Sequence, residues 1–385
     1  MRPGMCSAQR INIPTHPDML PLITHILPTL SPYGAERVAV ELAARLPAHG
    51  FRTRVLVLFE NGPLQQELRA RGVRWAMLAP SAVRSFSGRM ATVRRLHTRL
   101  FGEPERVPDI VHTHLFGADF WSSVARLIPS SSAIRPAAYL STAHSVDQDD
   151  GAVRRVARRW AARRMTRVVA ISQDVARYVQ QDLSVPAARI TCIPNGIALD
   201  QVRSRGPRPF RDVPRLLMVG RLEAEKGHER VFQALAGVAA PWRLDIAGDG
   251  RLLRTLKEAA ERLGIASRVH FLGRREDIPA LLADADLFLF PSQWEGMGLA
   301  LVEAMAAGVP VLASDLPALR EFAPRHSLLP LDNPVRWQEA ITTRLMESSA
   351  AVAEAHALAP TIRARYDIEN MIKAYAALYH SLLRT

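Results

Sequence analysis

The chain has 385 residues, 48% of them hydrophobic, and a formal net charge of +13. That length suits two domains rather than one core, and with no apolar run of 18 residues no membrane-spanning helix is expected. Two cysteines, Cys6 and Cys192, stand far apart in unlike surroundings; they argue for a reducing compartment and against a disulfide framework or a zinc site.

Residues 1–18 lack the apolar stretch of a secretion signal and are expected to be a disordered lead, with Met19 as an alternative start. Apolar runs then alternate with amphipathic stretches. Strands are predicted at Leu22–Leu27, Arg54–Leu58, Val73–Leu78, Asp109–His114, Ala137–Ala143, Arg167–Ile171 and Arg189–Ile193. Helices such as Ala35–Leu46, Gly117–Leu127 and Ser172–Asp182 fit between them. Residues 203–214, rich in Pro, Gly and Arg, break the pattern and read as a linker. Beyond it, strands are predicted at Arg215–Val219, Arg243–Ala247, Val269–Leu272, Leu287–Phe290, Val309–Ala313 and Leu328–Leu331, again with helices between. Such alternation means two α/β, doubly wound, Rossmann-like domains with parallel sheets. The expected division is 19–202, linker 203–214, 215–366, and a last helix in 367–385 packing back toward the N-terminal domain.

Charge is uneven. Residues 1–200 carry 26 arginines and no lysine against 15 acidic residues, so +11 of the +13 lies there. This half is expected to meet something anionic. The segment Val153–Arg167 has seven arginines, no acid, and an apolar stripe of Val153, Val156, Trp160 and Met165. A second basic stretch runs from Arg84 to Arg99. Solvated helix faces are one reading. Contact with anionic lipid through Arg154, Arg155, Arg158, Arg159, Arg163 and Arg164, or with a polyprenyl-diphosphate acceptor, is the sharper one. Without an aromatic-studded binding motif or zinc module, nucleic acid is not expected.

Two loops carry the most chemistry. In Val219-Gly-Arg-Leu-Glu-Ala-Glu-Lys-Gly227, Arg221 and Lys226 follow a predicted strand. A planar guanidinium and a mobile ammonium suit a diphosphate. In Glu295-Gly-Met-Gly-Leu-Ala-Leu-Val-Glu303, a Gly-x-Gly loop opens a helix whose N-terminus favours an anion. Its two carboxylates suit sugar and ribose hydroxyls. Together the loops describe a nucleotide-sugar site. His114 and His144 each close a predicted strand in the basic half. Asp147-Gln-Asp149 and Asp284-Ala-Asp286 have the spacing of a metal-binding triplet, but read better as a solvated loop and a helix end. Gly248-Asp-Gly250 is half a dinucleotide fingerprint, with Leu253 where the third glycine would stand.

At these residues the chain resembles the family 4 glycosyltransferases, retaining enzymes of GT-B fold. The second half carries Val-Gly-Arg-Leu with Lys-Gly227, Ile-Ala-Gly-Asp-Gly250, Phe-Leu-Gly273, Phe-Pro-Ser292 and Glu-Gly-Met-Gly-Leu299 with Glu-Ala-Met-Ala-Ala-Gly308. The first half carries Tyr-Gly-Ala-Glu-Arg-Val38, Asp-Ile-Val-His-Thr-His114, Thr-Ala-His144, Ala-Ile-Ser172 and Ile-Pro-Asn-Gly-Ile197. The likeness spans roughly residues 20–380; it departs at Ser31-Pro32-Tyr33, where a second glycine often precedes Gly34.

The resemblance implies two sheets facing across a cleft, with the acceptor in the N-terminal domain and the donor in the C-terminal one. It implies transfer of a sugar from a UDP- or GDP-linked donor to a glycan or lipid-linked acceptor, in bacterial surface polysaccharide synthesis. By the same likeness Arg221 and Lys226 hold the diphosphate, Glu295 binds the donor sugar, and Glu303 binds the ribose. The amides of Gly296, Met297, Gly298 and Leu299 meet the sugar and distal phosphate, Gly273 and Arg274 lie by the base, and Gly34 lies near the phosphates. His114 sits near the donor sugar as an orienting, hydrogen-bonding group, and His144 lies on the acceptor side. Attack on the front face, with the leaving phosphate taking the acceptor proton, completes the implied mechanism. No metal or other cofactor is expected, and the protein is expected in the cytoplasm, at the inner face of the membrane. Two other readings are a glycoside hydrolase, needing Glu295 and Glu303 roughly 5–9 Å apart on one sugar, and a non-catalytic nucleotide-sugar binder.

Overall fold

The computed structural model describes residues 20–79, 83, 85–102, 107–130, 134–146 and 151–384. The leading residues, the Asp147–Asp149 triplet and Arg84 lie outside them. In chain order the first sheet and its helices are β1 (Leu22–Thr29), α1 (Gly34–Arg45), β2 (Arg52–Glu60), α2 (Leu64–Ala70), β3 (Arg74–Met77), α3 (Phe86–Phe101), β4 (Ile110–His114), α4 (Leu115–Ala125), β5 (Ala138–Ala143), α5 (Ala152–Arg163), β6 (Arg167–Ala170), α6 (Gln173–Gln181) and β7 (Ile190–Cys192). The second set is β8 (Arg215–Val219), α7 (His228–Ala236), β9 (Arg243–Ala247), α8 (Leu253–Arg262), β10 (Val269–Gly273), α9 (Ile278–Asp284), β11 (Leu287–Phe290), α10 (Leu299–Ala306), β12 (Val311–Ser314) and β13 (Leu328–Leu329). Three helices follow: α11 (Pro334–Met346), α12 (Ser348–Tyr366) and α13 (Ile368–Leu383). Each strand expected from the sequence has its counterpart.

The seven-stranded sheet runs β3-β2-β1-β4-β5-β6-β7 and the six-stranded one β10-β9-β8-β11-β12-β13. Both therefore reverse direction once, between β1 and β4 and between β8 and β11. Ligands of doubly wound folds sit at that switch, outside the strand C-termini. The strands are buried runs because helices cover both faces: β11 is enclosed at all four positions, and Leu216, Leu217 and Met218 of β8 are buried. Side-chain caps start several helices. Ser172 Oγ accepts the Val175 amide before α6, and Asn333 accepts the Arg336 amide before α11, where Pro334 has no N–H to satisfy.

Contacts group the chain into two compact units. One comprises Met1–Thr142, Val153–Val168 and Tyr375–Thr385; the other comprises Ala143–Ala152 and Val169–Ala374. The C-terminal part of α13 thus belongs with the first unit, where Tyr375 and Tyr379 are fully buried.

Two segments carry detail the sequence did not show. The arginine-rich helix ends at Arg163, and its apolar stripe is split: Met165 is buried, whereas Val153 and Val156 are 85% and 68% exposed. The stretch 203–214 is fastened rather than slack. Arg205 is buried, donating to the Ala285 carbonyl (2.9 Å) and to Asp286 (3.2 Å). Arg208 and Arg211 converge on the same carboxylate, and the Arg215 amide donates to it as well. Burial favours the neutral acid, but these donors outweigh it and hold Asp286 below the usual carboxylate range. Asp284 pairs with Arg211 and Arg215. The Asp284-x-Asp286 pair is therefore committed to guanidinium groups.

Candidate functional site

In the second unit, Gly220 and Arg221 leave β8 at the switch point. The turn Ala224–Lys226 ends at Gly227, whose φ of 66° lies in the left-handed region and whose missing side chain would strike the Pro291 carbonyl at 2.1 Å. That close approach joins the loop after β8 to the loop after β11. Gln293 strengthens the join: its amide donates to the Glu225 carbonyl (2.7 Å) and its side chain to the Ala224 carbonyl (2.9 Å).

The two loops bring the predicted charges together in pairs. Lys226 Nζ is bonded to Glu295 and lies 5.7 Å above the Phe290 ring. Arg221, with its side chain 45% exposed, donates to Glu225 at 2.7 Å. Both cations expected to bind phosphate thus have a carboxylate partner. Glu223 performs the same service for Arg251. Met297 is buried, and Gly298 is the N-cap of α10 without any side-chain cap, so the helix dipole opens on this loop. Gly296 has no room for a side chain, since a Cβ there would lie 2.1 Å from the His144 carbonyl oxygen. Glu303 lies one turn into α10, half-buried. Gly273 closes β10 with φ 65°, its carbonyl accepting the Gly248 amide (2.8 Å), and exposed Arg274 follows. His228 begins α7 and is buried; burial, with the neighbouring Lys226 charge, lowers its pKa to about 4. The Nδ1 of His144 is shielded although the residue keeps some surface, and desolvation brings that imidazole to about 3.

In the first unit, Gly34 starts α1 with Tyr33 as its N-cap, and buried Glu36 accepts from Thr29 Oγ1 (3.2 Å). His114 closes β4, fully buried, and the chain turns into α4 through Leu115, held at φ 70°. A left-handed non-glycine residue is strained, and such strain gathers at functional sites. Sequence reasoning missed what surrounds His114. His25 of β1 stands in register with His112 of β4, and the three imidazoles are packed together, with donor nitrogens within 4.8 Å of one another. That spacing would admit a metal, but both His112 nitrogens, His25 Nδ1 and His114 Nε2 already meet protein groups, while His25 Nε2 is buried without a hydrogen-bond partner among the described residues. His112 binds Tyr379 OH (2.7 Å) and Thr142 Oγ1 (2.8 Å), while His25 Nδ1 meets His114 Nε2 at 3.2 Å. Burial lowers the His25 pKa to about 3, so it is neutral. Nearby in the same unit, Asp119 of α4 accepts from Thr113 (2.5 Å) and Ser141 (2.8 Å). Its desolvation still pushes its pKa up to about 6, against those bonds and the Arg158 charge. A polar residue interrupting an apolar strand run, as at His25, was the available signal.

The outer arginines stack on rings. Arg158 lies 4.5 Å and Arg154 5.8 Å from the Phe116 centroid, and Arg164 5.0 Å from Trp160. Among the described residues, no helix is long and apolar enough to cross a membrane.

Comparison with known proteins finds two family matches along the chain. Residues 203–343 match the family "Glycosyl transferases group 1", and residues 32–201 match "Glycosyltransferase Family 4". The chain is 31% identical over 246 residues to the lipopolysaccharide core biosynthesis mannosyltransferase LpsB of Rhizobium meliloti (strain 1021), covering 58% of this chain and 67% of that one. It is 27% identical over 325 residues to the UDP-Gal:alpha-D-GlcNAc-diphosphoundecaprenol alpha-1,3-galactosyltransferase of Escherichia coli, covering 78% and 81%. Among solved structures, Anabaena Alr3699/HepE in complex with UDP and glucose superposes with a TM-score of 0.81 at 21% identity, over 94% of this chain and 99% of that one. WaaG, a glycosyltransferase involved in lipopolysaccharide biosynthesis, superposes at 0.72, with 21% identity and 93% and 99% coverage. These likenesses fix the fold as GT-B.

Proposed function

We propose, from the premise that this chain belongs to glycosyltransferase family 4, that it moves a sugar from a nucleotide-diphosphate donor to a glycan or lipid-linked acceptor with retention of anomeric configuration. The single observation carrying this reading is the joined pair of loops in the second unit. It holds Arg221 and Lys226 at the switch point, each against a carboxylate that a diphosphate can displace. Charge on the departing diphosphate is stabilised by those cations and by the N-terminus of α10, where preorganised donors are most effective. Glu295, released from Lys226, binds donor hydroxyls; Glu303 takes the ribose; the amides from Gly296 to Leu299 take the sugar and distal phosphate. Gly273 and Arg274 border the base, Gly34 the phosphates, and His114 the donor sugar, with His144 toward the acceptor. The acceptor hydroxyl attacks the anomeric carbon on the face the diphosphate leaves, and a phosphate oxygen takes its proton.

No metal enters this scheme, because protein cations supply the charge and the Asp284-x-Asp286 carboxylates are held by arginines. The named relatives support a lipopolysaccharide or related surface-glycan pathway and an acceptor on a polyprenyl diphosphate. Exposed Val153 and Val156 among the α5 arginines support contact with an anionic membrane surface from the cytoplasmic side. The hydrolase reading lacks comparable support, since Glu295 is engaged with Lys226 and the matched relatives are transferases. The test is transfer from a donor panel in EDTA, with the product anomer read by NMR. An α-donor should yield an α-linked product. A β-linked product would falsify retention, and activity restored only by added manganese or magnesium would overturn metal independence.

A further inference from the structure

Arg89 stands apart from the paired arginines of the first unit. It lies in the first turn of α3, beside Phe59 at the C-terminal end of β2, the edge of a doubly wound sheet where ligands gather. The Arg89 guanidinium carbon is 5.5 Å from the Phe59 ring centroid and 6.0 Å from that of Trp121 on α4. Those two rings meet edge to face at 6.0 Å. Phe120 adjoins Trp121 at 5.0 Å, so the aromatic surface continues along α4. Phe59 and Phe120 are half-buried and keep part of their surface, whereas Trp121 is buried.

Several arginines of this unit have polar partners. Arg45 and Arg71 share Glu41, and Arg95, on the same helix as Arg89, donates to the Leu78 carbonyl (3.0 Å). Arg89 Nε is shielded from solvent without a hydrogen-bond partner, and no carboxylate among the described residues pairs with its guanidinium. A buried donor left unmatched costs free energy, the more so when it is charged. The first turn of α3 contains no acidic residue, so the positive end of the helix dipole adds to the guanidinium charge instead of offsetting it. Stacking on rings occupies only the faces of a guanidinium; its edge, with the N–H donors, is left for a ligand. The arrangement is costly by itself and becomes favourable when an anion takes that edge.

We infer that Arg89 binds the diphosphate of a lipid-linked acceptor on the first unit, with Phe59 and Trp121 holding its guanidinium plane and Phe120 offering apolar surface to the isoprenoid chain. The inference rests on the proposed transfer to an acceptor carried on a polyprenyl diphosphate, and it adds the residue that takes the acceptor's charge. Phosphate oxygens fit the guanidinium edge through a pair of parallel hydrogen bonds. A small soluble anion would answer the charge and leave the rings uncovered; a diphosphate joined to hydrocarbon uses both. Neither Arg221 nor Lys226 takes part, so donor and acceptor charges are met by different cations.

Farnesyl diphosphate serves as a short, soluble probe, titrated calorimetrically into the full chain with UDP and GDP present in excess to fill the donor site. Wild type should bind it, with farnesol and inorganic pyrophosphate each weaker by about tenfold or more, since one lacks the charge and the other the chain. Arg89→Gln should lower farnesyl diphosphate affinity about tenfold, and Arg89→Lys, which keeps the charge without the planar fork, about threefold. Arg89→Gln should melt no lower than wild type, because it removes an unmatched charge, and should bind UDP or GDP as wild type does. Sedimentation with phosphatidylglycerol vesicles should be the same in both proteins. Equal farnesyl diphosphate affinity in wild type and either variant would overturn the inference, as would pyrophosphate binding as tightly as farnesyl diphosphate. Loss of vesicle binding in Arg89→Gln with farnesyl diphosphate affinity intact would assign Arg89 to the membrane surface and overturn it too. A wild type that binds neither nucleotide, yet binds farnesyl diphosphate through Arg89, would instead overturn the proposed function and leave the anion site standing.

Discussion

The two sheets share one strand order but place their polar groups differently. In the second unit the candidate site side chains stand on loops beyond β8 and β11, charged, partly exposed and paired with neighbouring carboxylates. In the first unit the buried imidazoles sit on the strands themselves, enclosed, with hydroxyls and imidazoles as partners. A loop site can exchange one partner for another when a charged ligand arrives. A strand site enclosed among hydroxyls and imidazoles has no charged partner to exchange. The same architecture thus separates paired charges on loops from enclosed imidazoles on strands.

The largest expected effect breaks the loop side of this contrast. Arg221→Ala or Lys226→Ala should each lower kcat/KM by at least roughly 30-fold, about 2 kcal/mol of lost transition-state stabilisation, with unfolding unchanged. Full turnover in both would remove the charge-exchange account. Buried imidazoles of both units answer to pH. His25 and His144, at about 3, and His228, at about 4, lie below the ordinary value of 6.5. The unfolded chain takes up protons first, so their contribution is complete above about pH 6.5 and is lost as pH falls toward 3–4. Urea unfolding should show stability declining by a few kcal/mol between pH 7 and 4. A flat profile would mean these imidazoles are not desolvated.

Asp119 has the opposite sign and sharpens the point. Its pKa is raised from 3.8 to about 6, so it favours the folded state at low pH and that contribution is lost as pH rises through 6. Asp119→Asn should therefore be more stable than wild type at pH 8, by up to about 3 kcal/mol, with the gap closing toward pH 4. A gap constant with pH would assign the effect to packing. The smallest effect concerns α5. Arg155→Glu with Arg159→Glu should weaken sedimentation with anionic vesicles, at about 1 kcal/mol per arginine at low salt, and leave nucleotide binding alone. Equal sedimentation would reduce α5 to a solvated face.

What was legible in the sequence follows the same division. The alternation of strands and helices in both units was legible in apolar runs and amphipathic stretches, and the second-unit loops announced themselves through glycines flanking charges. Neither signal reaches across the chain. Nothing local in Thr24-His25-Ile26 says that His25 will face His114, 89 residues on. Nor does Tyr379 in a helical repeat betray a bond to His112, 267 residues away. Arg205, Arg208 and Arg211 looked like linker charges because their partner, Asp286, becomes visible only once β11 is laid beside β8. The split of the α5 stripe was hidden for the same reason: periodicity names a face but not whether anything covers it.

The central claim is that the paired cations of the second unit exchange their carboxylates for a nucleoside diphosphate. Isothermal titration of UDP, GDP and ADP into wild type and into Lys226→Ala tests it most directly. The account predicts saturable binding of UDP or GDP by wild type and a loss of at least about tenfold in the variant, the order expected for a charge-assisted hydrogen bond. Binding of none of the three nucleotides, or equal affinity in the two proteins, would contradict it.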